Sequence, residues 1–239
     1  MGETERLFLH DSYLRSVSAT VVDIDSEAGA VALDRTVFYA TSGGQPHDTG
    51  QLVWSNGAAA VHDVRSDDGV IWHHLHGEVP EVGTELEAAI DWDRRHQLMR
   101  THTAMHLLCG VIYNEWGQSV TGGNMKPLEG RMDFAFDPLP DRFADRVTEM
   151  VNAEIAADRP IEVTFLGRGV ALTDEVLIRT KVNMIPESVS EIRVVDIVGL
   201  DKQADGGTHV ASTSEVGRFA VTKTESKGKG FRRVRITLS

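Results

Sequence analysis

The chain has 239 residues, 41% apolar and 25% charged, an ordinary balance for a folded protein of one large or two modest domains. No apolar run approaches the ~18 residues of a membrane span, and the single cysteine, Cys109, excludes an internal disulfide and points to a cytoplasmic setting. A formal charge of −12 argues against a surface coated along its length by nucleic acid, because phosphate binding is driven by clustered Lys and Arg.

The N-terminus, Met-Gly-Glu-Thr-Glu-Arg, lacks the basic segment and apolar core of a secretory signal. From residue 20 to residue 90 the signals are β. Short alternating runs recur at 20–24, 30–33, 51–54, 59–64 and 70–74, separated by Gly29, Gly43-Gly44, Gly50, Asn56-Gly57 and Gly69. Asn56-Gly57 between two apolar runs predicts a type I′ hairpin, and the strand spacing suggests a small barrel or sandwich. Within this region, residues 36–50 read Thr-Val-Phe-Tyr-Ala-Thr-Ser-Gly-Gly-Gln-Pro-His-Asp-Thr-Gly. Gly43 and Gly44 suit a tight turn, whereas the Gln45 amide beside them can alternatively be held close to a ligand.

The character changes at Asp91. Leu98, Met105, Leu108 and Ile112 recur at helical spacing, with Asp91 or Asp93 available to cap the start and Gly117 the end. Cys109 falls on this helix as a buried thiol. Residues 131–136 alternate as a strand. Residues 140–158 read as an amphipathic helix with the stripe Phe143, Val147, Val151 and Ile155, and with Pro140 in its first turn. Residues 160–166 and 191–198 read as strands, 172–179 are ambiguous, and 219–224 and 231–238 form a hairpin. Helices and strands mixed without βαβ alternation predict an α+β domain. Lys223, Lys227, Lys229, Arg232, Arg233 and Arg235 stand against one Glu225, either as a solvated hairpin or as a phosphate-binding face.

Two clusters carry chemistry. Arg100-Thr-His-Thr-Ala-Met-His puts His102 and His106 one turn apart on one helix face, and Asp205-Gly-Gly-Thr-His209 places a carboxylate and an imidazole four residues apart. A solvated or core His pair remains an alternative for the first cluster. Together, three imidazoles and a carboxylate make a four-donor set for one divalent ion, with zinc the best match and iron, manganese, cobalt or nickel also compatible. Without Cys the set leans toward a catalytic centre, where the metal polarises a carbonyl or acidifies bound water. Thr103 stands where a zinc protease of the His-Glu-x-x-His type would carry its base, which disfavours a protease. No protein general base is identified.

Arg100-Thr-His-Thr-Ala-Met-His-Leu-Leu and Asp205-Gly-Gly-Thr-His209-Val resemble the two metal motifs of the alanyl-tRNA editing family. Residues 38–50, Arg131-Met-Asp-Phe134, Thr213-Ser-Glu-Val-Gly217 and the Lys-Gly-Lys-Gly hairpin also match that family's patterns, so the resemblance covers residues from about 21 to 236. It implies an N-terminal β-barrel, residues 1–90 with the Gly-Gly-Gln loop, followed by a two-layer α/β editing domain, residues 91–239. It further implies a deacylase acting in trans on alanine tRNA mischarged with serine or glycine. The metal ligands carry over onto His102, His106 and His209, with Asp205 where the family normally has Cys. Thr121 falls where the family carries a Thr implicated in serine recognition, Gln45 is a second substrate-binding candidate, and Lys227, Lys229 and Arg232 are tRNA-binding candidates. A non-catalytic tRNA- or metal-binding module and a metallohydrolase of another ester remain open as alternatives.

Overall fold

The computed structural model describes residues 2–171 and 190–239; the ambiguous stretch 172–179 lies outside them. The described chain divides into two units, Met1–Gln97 and Leu98–Ser239, with the boundary inside the first long helix.

The first unit holds β1 (Glu5–Arg6), β2 (Ser16–Asp25), β3 (Ala30–Leu33), β4 (Arg35–Thr36), β5 (Gly50–Trp54), β6 (Gly57–Asp67), β7 (Val70–Gly77) and β8 (Glu85–Ile90). β1 and β4 form a short parallel pair, while the rest close a barrel in the order β2-β3-β7-β6-β5-β8. Inward positions such as Val21, Leu33, Leu52, Val64, Ile71 and Ala88 are buried and alternate with outward polar ones, the period a barrel wall requires. β8 bonds to both β2 and β5 and so closes the wall.

Asn56-Gly57 is not a type I′ turn. β5 pairs with β6 from Trp54↔Gly57, so the loop is Ser55-Asn56, and neither residue has positive φ. Gly57 answers to packing instead: a Cβ there would lie 2.6 Å from the Trp54 indole. The double positive φ of a type I′ turn occurs at Asp68-Gly69 (48° and 84°), joining β6 to β7, and at Gly43-Gly44 (56° and 88°).

Polar groups also stitch this unit together. His73 is fully buried in the wall, with Nδ1 3.2 Å from Val31 O and Nε2 2.8 Å from Thr36 Oγ1. Those contacts fix the neutral tautomer that donates from Nδ1, and burial pushes the ring pKa down to about 4. Arg95 and Asp48 are also fully buried. The guanidinium donates through Nε and Nη2 to Asp48, at 3.0 and 2.5 Å, and to Val37 O and Ser12 O. Asp48 in turn accepts from Tyr39 N at 2.7 Å, so the glycine-rich segment is pinned at both ends by one ion pair.

The second unit is built around α1 (Trp92–Trp116). Asp91 caps its start by accepting from Arg94 N at 3.1 Å, and Gly117 ends it with φ 67°. Every residue from 101 to 112 is buried, so over this stretch the helix has no solvent face. The four-stranded antiparallel sheet runs β14 (Phe219–Ser226), β15 (Arg232–Leu238), β10 (Glu129–Phe134), β9 (Val120–Lys126); the three-stranded one runs β11 (Ile161–Gly167), β12 (Glu191–Ile197), β13 (Asp201–Ala204). α1 meets the first sheet where Met105 lies over Gly123 and Gly130, and meets the second at Gly110, beside Leu200 and Asp201. α2 (Phe143–Ala156) buries Phe143, Val147 and Val151 against the β14 side. Pro140 precedes it rather than opening its first turn, because Arg142 at the N-cap adopts φ 52° and the chain turns there. α3 (Arg168–Ala171) follows β11.

Candidate metal centre

His102 and His106 leave one face of α1 and meet His209, which arrives on the loop after β13. Ring centroids are 5.1 Å apart for His102–His106, 4.4 Å for His102–His209 and 4.8 Å for His106–His209. Asp205 completes the group, its Oδ1 lying 3.6 Å from His102 Nε2 and its Oδ2 3.0 Å from His209 Nε2. One donor atom from each of the four falls within 4.8 Å of the others. Bonds of about 2.0–2.1 Å to a tetrahedral ion require donors roughly 3.3 Å apart, so this group can hold one ion with small side-chain adjustments.

Each donor has a backing group. His209 Nδ1 is 3.1 Å from Thr103 Oγ1, a hydroxyl that can accept from the ring when Nε2 is engaged with metal, or donate when it is not. His106 Nδ1 faces Asp201 Oδ2 at 3.4 Å, an ion-pair distance longer than a good hydrogen bond, and that carboxylate accepts from Gln203 Nε2 at 2.6 Å. Gly110, one turn beyond His106, makes the approach possible: a Cβ there would come 3.0 Å from both Asp201 Cβ and Leu200 Cγ. Asp205 accepts from Gly207 N at 2.8 Å, while Arg193 donates to its carbonyl at 2.9 Å and lies 3.8 Å from its carboxylate.

These surroundings set the charge states. Burial drives the His102 pKa well below the ordinary value and that of His209 to about 4, leaving lone pairs available for an ion. For His106 burial acts downward and is the largest single influence, but the Asp201 and Asp205 carboxylates together outweigh it and the net shift is upward. Burial works to raise Asp205, yet the neighbouring His102 and His209 carry it well below the usual carboxylate range. The donor set is therefore three imidazoles and one carboxylate anion.

The other sequence-derived candidates fall on other elements. Gln45 is fully buried in the first unit, where its backbone pairs with Ser42 across the Gly43-Gly44 turn. Thr121 is exposed on β9, its hydroxyl donating to Asp133 O at 3.0 Å. Lys227 bonds to the buried Asp133 carboxylate at 2.5 Å, beside Arg233, whose Nε donates to the same group at 2.8 Å; Arg233 first and Lys227 next hold Asp133 at about 2. Arg232 Nη1 donates to Ser226 Oγ at 3.1 Å, and Lys229 is exposed with no ion pair among the described residues. The Arg131-Met-Asp-Phe motif thus anchors the basic hairpin through Asp133. Asp201, Arg193 and Gly110 escaped the sequence reading, because nothing in their local spacing marks them. Only the pairing of β13 with β12, and the packing of Leu200 and Asp201 against Gly110 of α1, brings them to the centre.

Comparison with known proteins adds the family. Residues 192–235 match the family described as "Threonyl and Alanyl tRNA synthetase second additional domain", and residues 13–94 match "tRNA synthetases class II (A)". The chain is 36% identical to the alanyl-tRNA editing protein AlaX-M of Methanosarcina barkeri and 37% identical to that of Saccharolobus solfataricus, covering 98% of this chain and 99% of each relative. It is also 37% identical to the alanine–tRNA ligase of Pyrobaculum aerophilum, matching 96% of this chain but 26% of that enzyme. At that identity to the two AlaX-M proteins, over nearly the whole length of both chains, the chain belongs to the AlaX-M family of alanyl-tRNA editing proteins.

Proposed function

We propose that the protein deacylates alanine tRNA mischarged with serine or glycine, sparing correctly charged alanyl-tRNA. In this reading residues 91–239 form the metal-dependent editing domain, and one divalent ion, zinc, sits at His102, His106, Asp205 and His209. The observation that supports it is the convergence of those four donors in a chain of an alanyl-tRNA editing family. When bound, the ion supplies Lewis-acid polarisation of the ester carbonyl and a lowered pKa for water. The chain's own residues supply the geometry. Asp201 orients His106, Thr103 orients His209, and Arg193 with Gly207 N holds Asp205.

Selectivity for a seryl ester requires a group that bonds the substrate hydroxyl and is left unpaired by alanine. Thr121 is assigned that role: its proton is spent on Asp133 O, which leaves its oxygen lone pairs to accept from a serine hydroxyl. Lys227, Lys229 and Arg232 are assigned to tRNA phosphates. Lys229 engages at least cost, whereas Lys227 must leave a carboxylate that Arg233 continues to neutralise.

The test is hydrolysis of seryl-, glycyl- and alanyl-tRNA of alanine identity, with and without a chelator. Rapid chelator-sensitive loss of the first two, with alanyl-tRNA persisting, is expected. Equal hydrolysis of all three overturns the selectivity, activity that survives complete metal removal overturns the metal's role, and no hydrolysis by zinc-loaded protein makes this a binding module.

A further inference from the structure

Four of the ten histidines gather away from the metal motifs, on the barrel of the first unit. In β7, His74 and His76 flank the buried Leu75, so both imidazoles leave the outer face two residues apart. Across the ladder, β6 carries an irregularity between Val61 and Asp63, and His62 stands out at that point. Its ring stacks on His76 with centroids 3.7 Å apart and planes 16° apart, and lies 6.4 Å from His74. His47 borders the group, its Nε2 3.1 Å from His62 O and its Nδ1 3.2 Å from Asp63 Oδ1. Residue Ala60, opposite His76 in the register, puts only a methyl beside the cluster, so solvent reaches it.

A barrel wall gains little from this. Three imidazoles crowded on a solvated surface repel one another whenever protonated, and an outward strand position favours almost any polar residue over a histidine pair. What the arrangement does offer is three imidazoles on the outer face of two bonded strands. We propose that His62, His74 and His76 form a second, surface-exposed site for a late first-row divalent ion, nickel or copper in preference to zinc. The donor chemistry selects that class. Imidazole-only sites follow the Irving–Williams order, and no obligatory carboxylate favours magnesium, calcium or manganese. The His62 and His76 rings stand face to face at 3.7 Å and His74 lies 6.4 Å from His62, so the rings reach a shared ion by side-chain rotation about staggered minima. Parallel rings aim their lone pairs in parallel, so binding splays the stack. An ion held here would tie β6 to β7 and stabilise the barrel by mass action.

The test counts ions. Full-length protein dialysed against nickel or copper should bind a second ion per chain. The exposed-position variant His62→Gln/His74→Gln/His76→Gln should bind only the one at the His102 centre, and His102→Ala/His106→Ala should still bind the surface ion. Copper on the latter variant should show electron-spin-resonance coupling to several nitrogens, and each single Gln substitution at the three positions should weaken that copper by roughly tenfold or more. One ion per chain in the unsubstituted protein, or a second ion that survives the triple Gln substitution with unchanged affinity, overturns the proposal. Because the surface ion is read without any deacylation assay, it stands or falls separately from the proposed editing chemistry.

Discussion

Asp201 gives the sharpest check on how the centre is built. Its side chain is fully buried, 3.4 Å from His106 Nδ1, and tied to Gln203. Such a carboxylate fixes the ring's tautomer, so that Nε2 is the nitrogen offered to metal, and raises its basicity. Losing an outer partner of this kind typically weakens metal binding by about 10–100-fold, or roughly 1.4–2.7 kcal/mol. Asp201→Asn keeps an acceptor facing Nδ1–H and loses only the charge, so it belongs near the lower end. Asp201→Ala removes the acceptor as well and belongs near the upper end. Gly110→Ala provides an independent route to the same effect. Its new Cβ would stand 3.0 Å from Asp201 Cβ, so the carboxylate must shift although no donor has changed. Zinc affinity measured by competition with a chromogenic chelator, on variants with unchanged circular dichroism, reads all three. If Asp201→Ala binds zinc within about twofold of the parent protein, a factor near the ~0.5 kcal/mol expected of a neutral surface change, Asp201 does not support His106 and the reasoning fails.

Further outcomes follow from other parts of the structure. Asp205→Cys should retain metal and move preference toward zinc, because thiolate is a softer donor, whereas Asp205→Ala should lose most of the metal; full occupancy in the Ala variant, by elemental analysis, would remove Asp205 from the ligand set. Neutralising Lys227, Lys229 and Arg232 together should flatten the plot of log tRNA affinity against log salt by roughly one unit per lost phosphate contact, and an unchanged slope places the tRNA on another face. His73, with a folded pKa of about 4 against 6.5 unfolded, binds its proton more readily in the unfolded chain. Its contribution is therefore complete above pH 6.5 and is lost as pH falls through 4, by up to about 3 kcal/mol. Denaturant titrations of His73→Gln should show a correspondingly weaker loss across that window, and identical pH profiles would contradict the assignment.

The four candidate metal donors were legible because each pair is local. His102 with His106, and Asp205 with His209, lie four residues apart, and a helix turn or a Gly-Gly loop needs no distant information to bring such donors together. That the two pairs meet at one point, with donor contacts of 3.0 and 3.6 Å, was decided by tertiary packing. The barrel class was legible from alternation, and the β5–β6 hairpin lies where Asn56-Gly57 marked it, but β8 and the one-residue offset of that turn were not legible. Local dipeptide preference favoured a type I′ turn at Asn56-Gly57, whereas Gly57 is a strand residue under the Trp54 indole and the double positive φ falls at Asp68-Gly69. α1 showed its apolar spacing in the sequence, yet its burial on all sides from residue 101 to 112 became apparent only with two sheets packed around it. Asp201, Arg193 and Gly110 belong to the centre for the same reason. A carboxylate, a guanidinium and a missing Cβ carry no spacing signal, and they acquire their roles only where β12, β13 and α1 close on one another.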